Sequence, residues 1–323
     1  MPTFLRALIS AVLLIVATSA HGQTWPSRTI KLIVPSGPGL AMDIMGRLLA
    51  ERLSPALGQT VYVENMPGAS GFIGAQAVAR AAPDGHTFLF APASALTSNL
   101  FLFKSIPYNP DRDFTPVAMI SDRGPFLFSV NPSLPVNTLP ELIAHAKANP
   151  GKLSYAVDAS SGFGLVAAQL MVKRAGIDVV QVPYKSTPQA SQDTVSGVTQ
   201  FMISSVPVVT GLAAEGKLRR IAITTDKPFP GLEDIAPVAD VLPGYKVDGW
   251  FAILAPAGTP EPIVARMNRE IDAIVRQPEM VQRMLRFGLG TSGAGTPQSA
   301  AEFIKREQEM WAGLVKELDL KAQ

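Results

Sequence analysis

No cysteine occurs in the 323 residues, which excludes disulfides, thiolate metal sites and a cysteine nucleophile at once. Attachment through a lipid-modified cysteine is excluded with them. Histidine is scarce, with three residues, and His21 falls in a segment expected to be removed. Excess charge of either sign is missing: 28 basic against 26 acidic side chains leave +2. No basic stripe interleaved with aromatics occurs, so nucleic acid is discounted as a partner. Long apolar runs are missing beyond the N-terminus, so the remainder offers no membrane span.

The N-terminus is the exception. Arg6 precedes an apolar run at 7–17, and small residues follow to Gly22. This is the order of a cleavable secretory signal, and the run is short of the roughly 20 residues a span needs. Residues 1–22 are expected to be removed, with cleavage after Ala20 as the rival, leaving a soluble periplasmic protein. Hydrophobic residues make up 47% and charged residues 17%, which supports a large core and argues against disorder.

Past the signal, short β-branched runs alternate with helical patterns. Strands are expected at 29–34, 61–63 and 87–90, and helices at 42–53 and 73–82. A second series has strands at 153–157, 179–182, 201–203 and 218–224, with helices at 165–174 and 191–195. Residues 117–120 and 126–130 form a short apolar pair. A helix at 139–148 stops at Asn149-Pro150-Gly151. The last third holds a strand at 250–255 and helices at 263–275, 278–287 and 300–318. Such β-turn-α repetition points to an α/β fold with parallel strands and crossover helices.

Glycine- and serine-rich turns fall at the strand C-termini, the edge where open α/β sheets bind ligands. Backbone N–H groups at helix starts bind anions, and the helix dipole adds to the attraction. Catalytic patterns are missing by comparison. Clustered His, Asp and Glu spacing for a metal is absent. No G-x-S-x-G elbow occurs. Gly68, Gly71 and Gly74 lack the spacing of a dinucleotide loop. No cofactor and no metal are expected. Each turn serine taken alone is more simply a helix cap. Asp43, in the first turn of its helix, fits a cap role better than ligand contact, and Lys185 fits a solvated loop.

Several segments then carry a family likeness: Trp25 to Pro35, Pro38-Gly39 through Asp43, and Val63 through Gly71. Ala82-Pro83-Asp84-Gly85-His86-Thr87, Val182-Pro183-Tyr184-Lys185 and Trp250 through Pro260 continue it. In this order the chain resembles the substrate-binding proteins of tripartite tricarboxylate transporters, the Bug-type receptors. The resemblance implies a two-lobe periplasmic binding protein, type II-like, with a hinge of two crossing segments. Lobe 1 would be 23–122 plus 247–323, and lobe 2 would be 123–246. It implies capture of a small organic anion, a carboxylate, by lobe closure, with delivery to membrane permease subunits and no chemistry performed.

Ligand-binding positions follow from the resemblance residue by residue. The first βα turn supplies Ser36, Gly37, Gly39, Leu40, Met42 and Asp43. The glycine turn supplies Gly68, Ala69, Ser70 and Gly71. The opposing lobe supplies Ser160, Ser161, Gly162, Phe163 and Gly164, and then Ser204 and Ser205. Ser94, a serine in the turn after the third strand, and Tyr184 are added to these as further candidates. The first turn departs from the family pattern at Leu40, Ala41 and Met42, and Ser204 stands where many relatives have an acid. These departures suggest an anion without an amine, its apolar part near Leu40, Met42 and Phe163. A monomer is expected. The alternatives are a secreted hydrolase using a turn serine, and a sensory or orphan binding protein without a permease.

Overall fold

The computed structural model describes residues 25–158 and 162–322. The expected signal at 1–22 and the candidates Ser160 and Ser161 lie outside the described residues.

Ten strands form two five-stranded sheets among the described residues. The first contains β1 (Ile30–Val34), β2 (Val61–Asn65), β3 (Thr87–Pro92), β4 (Phe114–Ser121) and, from far along the chain, β10 (Phe251–Pro256). Its order is β2-β1-β3-β10-β4. The second contains β5 (Phe126–Val130), β6 (Ser154–Asp158), β7 (Val180–Tyr184), β8 (Phe201–Ser205) and β9 (Arg219–Ile223), in the order β7-β6-β8-β5-β9.

Both sheets are mixed, which corrects the expectation of parallel strands throughout. β1 pairs parallel with β2 and β3, but β10 runs antiparallel between β3 and β4. β6 pairs parallel with β7 and β8, while β5 runs antiparallel between β8 and β9. The apolar pair at 117–120 and 126–130 is not a pair in space: its members belong to different sheets.

Helices cover the sheet faces where their apolar stripes demand it. In α1 (Ala41–Leu57), Met45, Leu49, Leu53 and Leu57 recur at helical spacing and are buried. The helix stops at Gly58, whose φ of 71° gives the left-handed cap. α2 (Phe72–Ala79) follows the glycine turn, and α3 (Leu139–Ala148) is capped by the Thr138 side chain. α4 (Gly162–Ala175) and α5 (Thr187–Val195) serve the second sheet.

α6 (Val206–Ala214) replaces a turn expected from Ser204-Ser205-Val206-Pro207. Pro207 reads as a breaker, yet in the first turn of a helix proline lacks only an N–H that has no helical partner anyway. α7 (Glu261–Val275), α8 (Pro278–Arg286) and α9 (Pro297–Leu318) close the chain, and α7 and α9 pack on β4. α9 also reaches α4, where Trp311 meets Phe163 with ring centroids 4.6 Å apart. No helix among the described residues is long and apolar enough to cross a membrane.

Two connections cross between the sheets, 122–125 and 246–250. Gly249 N–H donates to Gly124 O at 2.9 Å. A Cβ at Gly124 would sit 2.9 Å from Gly249 O, so only glycine permits this approach. Phe251 N–H donates to Ser121 Oγ at 3.0 Å, and Phe126 N–H to Thr224 Oγ1 at 2.9 Å.

Candidate ligand cleft between the two sheets

The C-terminal ends of β1, β2 and β3 and the start of α4 face one cleft of about 870 Å³. Of the expected positions, Ser36, Leu40, Met42, Gly68, Ser70, Gly71, Ser94, Gly162 and Phe163 line it. Two turns build its first-sheet side.

The turn after β2 has an unusual backbone. Gly68, Ala69, Ser70 and Gly71 take φ values of 114°, 47°, 53° and 88°. Glycine occupies this region freely, whereas alanine and serine pay about 1–2 kcal/mol each in left-handed sterics. Four such residues in a row aim the chain back over β1. Gly71 N–H donates to Gly68 O at 3.0 Å, and Asn99 Nδ2 donates to Ser70 O at 3.2 Å from outside the turn. Strain of this kind concentrates at functional sites.

The turn after β1 is held from inside by Asp43. Its carboxylate accepts from Gly39 N at 2.8 Å, Arg47 Nε at 3.1 Å and Asn65 Nδ2 at 2.9 Å. Asn65 Nδ2 also donates to Ser36 O at 3.0 Å. Burial alone would raise the Asp43 carboxyl, but the bonds from Arg47, Gly39 and Asn65 outweigh it and hold it below the usual value. Asp43 therefore shapes the turn and does not line the cleft. Ser36 Oγ is buried there with no hydrogen-bond partner. α1 begins at its turn with no side-chain cap, so its first N–H groups are left for an anion or water, whereas at the start of α2 the Phe72 N–H is taken by Ala69 O.

The other expected positions stand apart. Gly37, Gly39 and Ala69 belong to the two turns without lining the cavity, and Gly164 lies inside α4. Ser204 is buried within β8. Tyr184 packs with Ala156, Ala190, Met202 and Leu218, and its hydroxyl donates to Asp193 Oδ2 at 2.8 Å. Burial, with Asp193 beside it, pushes that hydroxyl up to about 12. Ser205 lines a smaller chamber that adjoins the cleft.

Other lining residues escape sequence reasoning. Asn99, Leu102 and Phe103 come from the segment after β3, and Gln169 and Gln181 from α4 and β7. Gln181 Oε1 accepts from Tyr155 Oη at 2.9 Å and from Gln169 Nε2 at 3.0 Å, leaving Gln169 Oε1 buried without a partner. Lys321, just past α9, is the one formal charge among the described residues lining the cleft. Glutamine and lysine carry no local motif, and only the tertiary path of α9 places Lys321 here. Neither the cleft nor the chamber is lined by His, Asp or Glu among the described residues. No group of three or more such residues could hold a metal among those described.

Known proteins resemble this chain over most of its length. Residues 45–320 match the family described as "Tripartite tricarboxylate transporter family receptor". Protein BugT of Bordetella pertussis is 36% identical over 310 residues, covering 95% of this chain and 94% of BugT. The R. palustris protein Rpa4515, solved with adipate, is 32% identical with a TM-score of 0.81, over 93% of this chain and all (100%) of that one. MatC from Rhodopseudomonas palustris, solved with bound malate, is 29% identical with a TM-score of 0.75, over 90% of this chain and 100% of MatC. The fold is that of a two-lobe periplasmic binding protein, and the chain belongs to the receptor family of tripartite tricarboxylate transporters.

Proposed function

We propose that this receptor captures a small organic carboxylate in the cleft and hands it, without turnover, to the permease subunits of a tripartite transporter. The observation that carries the reading is the cleft itself. It joins two strained or tethered turns, the uncapped start of α1 and a single lysine, with no acidic side chain among the described residues lining it to repel an anion. In this reading residues 1–22 direct export and are removed. Residues 23–122 with 247–323 form one lobe, residues 123–246 form the other, and the connections at 122–125 and 246–250 let them close on the ligand. Ser160 and Ser161 would join the site from the second lobe. The carboxylates bound to Rpa4515 and MatC support the ligand class.

A thermal-shift series tests this. The purified protein, refolded to strip endogenous ligand, is heated with mono-, di-, tri- and aromatic carboxylates, and with amino acids as controls. A ligand at 100 times its Kd adds about 2.7 kcal/mol to the folded state, a rise of several degrees. The expected result is a concentration-dependent rise with one carboxylate class. A flat response across all the acids removes the carboxylate reading.

A further inference from the structure

At Pro92, Ser94 and Phe163 the cleft continues into a second chamber of about 210 Å³ beside the crossing connections. Phe126, Phe163, Trp250, Phe251 and Phe287 wall it. No charged side chain among the described residues lines it, and its side-chain polar groups are the hydroxyls of Ser94 and Ser205, with the Trp250 indole N–H turned to Glu307. The walls come from both sheets. Val206, at the start of α6, approaches Gly288 so closely that a Cβ there would lie 2.6 Å from it.

These features distinguish the two spaces chemically. The cleft has N–H donors, hydroxyls and a lysine, which suit a carboxylate. The chamber has aromatic carbon and no countercharge, so a second carboxylate placed there would lose its hydration uncompensated. An apolar cavity of about 150 Å³ already takes a benzene ring. We propose that the chamber receives the apolar body of the ligand while its carboxylate stays in the cleft. The ligand class is an acid carrying an aryl ring or a short alkyl chain that ends without charge. This rests on the carboxylate reading above and adds which end goes where. The body lies beside Phe126 and Trp250 at the connections, and not beside Leu40, which is 59% exposed. Because the chamber walls belong to both sheets, as the cleft walls do, such a body adds a second bridge between them.

Calorimetric titration with acetate, butyrate, hexanoate, benzoate and adipate tests the assignment. Affinity should rise about fourfold per added methylene from acetate to hexanoate. Hexanoate and benzoate should bind more tightly than adipate, which has the same chain length with a charge at its end. Ser205→Leu should flatten the rise with chain length. Ser205 is exposed and makes no side-chain cap bond, so leucine fills the chamber without removing a fold contact. Val206→Phe should flatten it in the same way. Adipate binding more tightly than hexanoate, or an unchanged rise in Ser205→Leu, overturns the chamber assignment while the carboxylate reading stands. Binding of none of the five acids overturns both.

Discussion

At the scale of single residues, two buried aspartates behave in opposite ways. Asp43 is held below the usual carboxylate value because the bonds from Arg47, Gly39 and Asn65 outweigh its burial. Its contribution is present above the unfolded value of about 3.9 and is lost as pH falls through the lower folded value. Asp43→Ala leaves the Gly39 N–H without its acceptor and the Asn65 amide with only Ser36 O, and should cost about 1–3 kcal/mol in urea unfolding at pH 7. Carboxylate affinity should fall with it, since the turn after β1 loses its internal tether. Asp248, in the second connection, has its carboxyl raised to about 8 by burial, with Glu307 and Asp226 adding to the effect against Lys246 and Arg123. Its Oδ1 has no hydrogen-bond partner. A raised acid favours folding fully below its unfolded value, and that contribution is lost as pH rises to about 8. Asp248→Asn stays neutral throughout. It should be more stable than the parent by about 1–3 kcal/mol at pH 9, the difference shrinking toward pH 4. A gap that does not change with pH would mean that the aspartate is not protonated at its site.

At the scale of elements, the turn between β2 and α2 stores strain in Ala69 and Ser70. Ala69→Gly removes one left-handed penalty and should raise stability by up to about 1 kcal/mol. It should also weaken carboxylate binding, because the unbound turn then samples more shapes. Thermal melts with and without ligand read both effects. Much of this element level was legible in the chain. β1 is a run of apolar residues, α1 has a clean stripe, and Gly68 and Gly71 announce a turn wherever they stand. What escaped was information that is not local. Pro207 opens α6 where it looked like a stop, since one proline cannot say whether a helix ends or begins. β10 reads as a strand, but no periodicity shows that it runs antiparallel between β3 and β4. Lys321 and Gln181 reach the cleft through the packing of α9 and the order of the second sheet, which no motif records.

At the scale of the molecule, the two sheets are bound together by more than the crossing connections. α9 packs on β4 and reaches α4, where Arg174 donates to both oxygens of Glu317 at 2.8 Å. Trp311 and Phe163 join the hydrophobic interiors of the two sides. The placement of β10 also has a meaning in time. β3 and β4 are made early, yet the strand that belongs between them ends at Pro256, more than a hundred residues later. Until that stretch has been synthesised, the first sheet has an open seam between β3 and β4, and pairing across such a distance is slow. A chain cut after residue 249 should therefore lack cooperative thermal unfolding in calorimetry. The same seam is a timer: the first sheet stays pliable while most of the polypeptide is being made, and hardens only once the last third arrives.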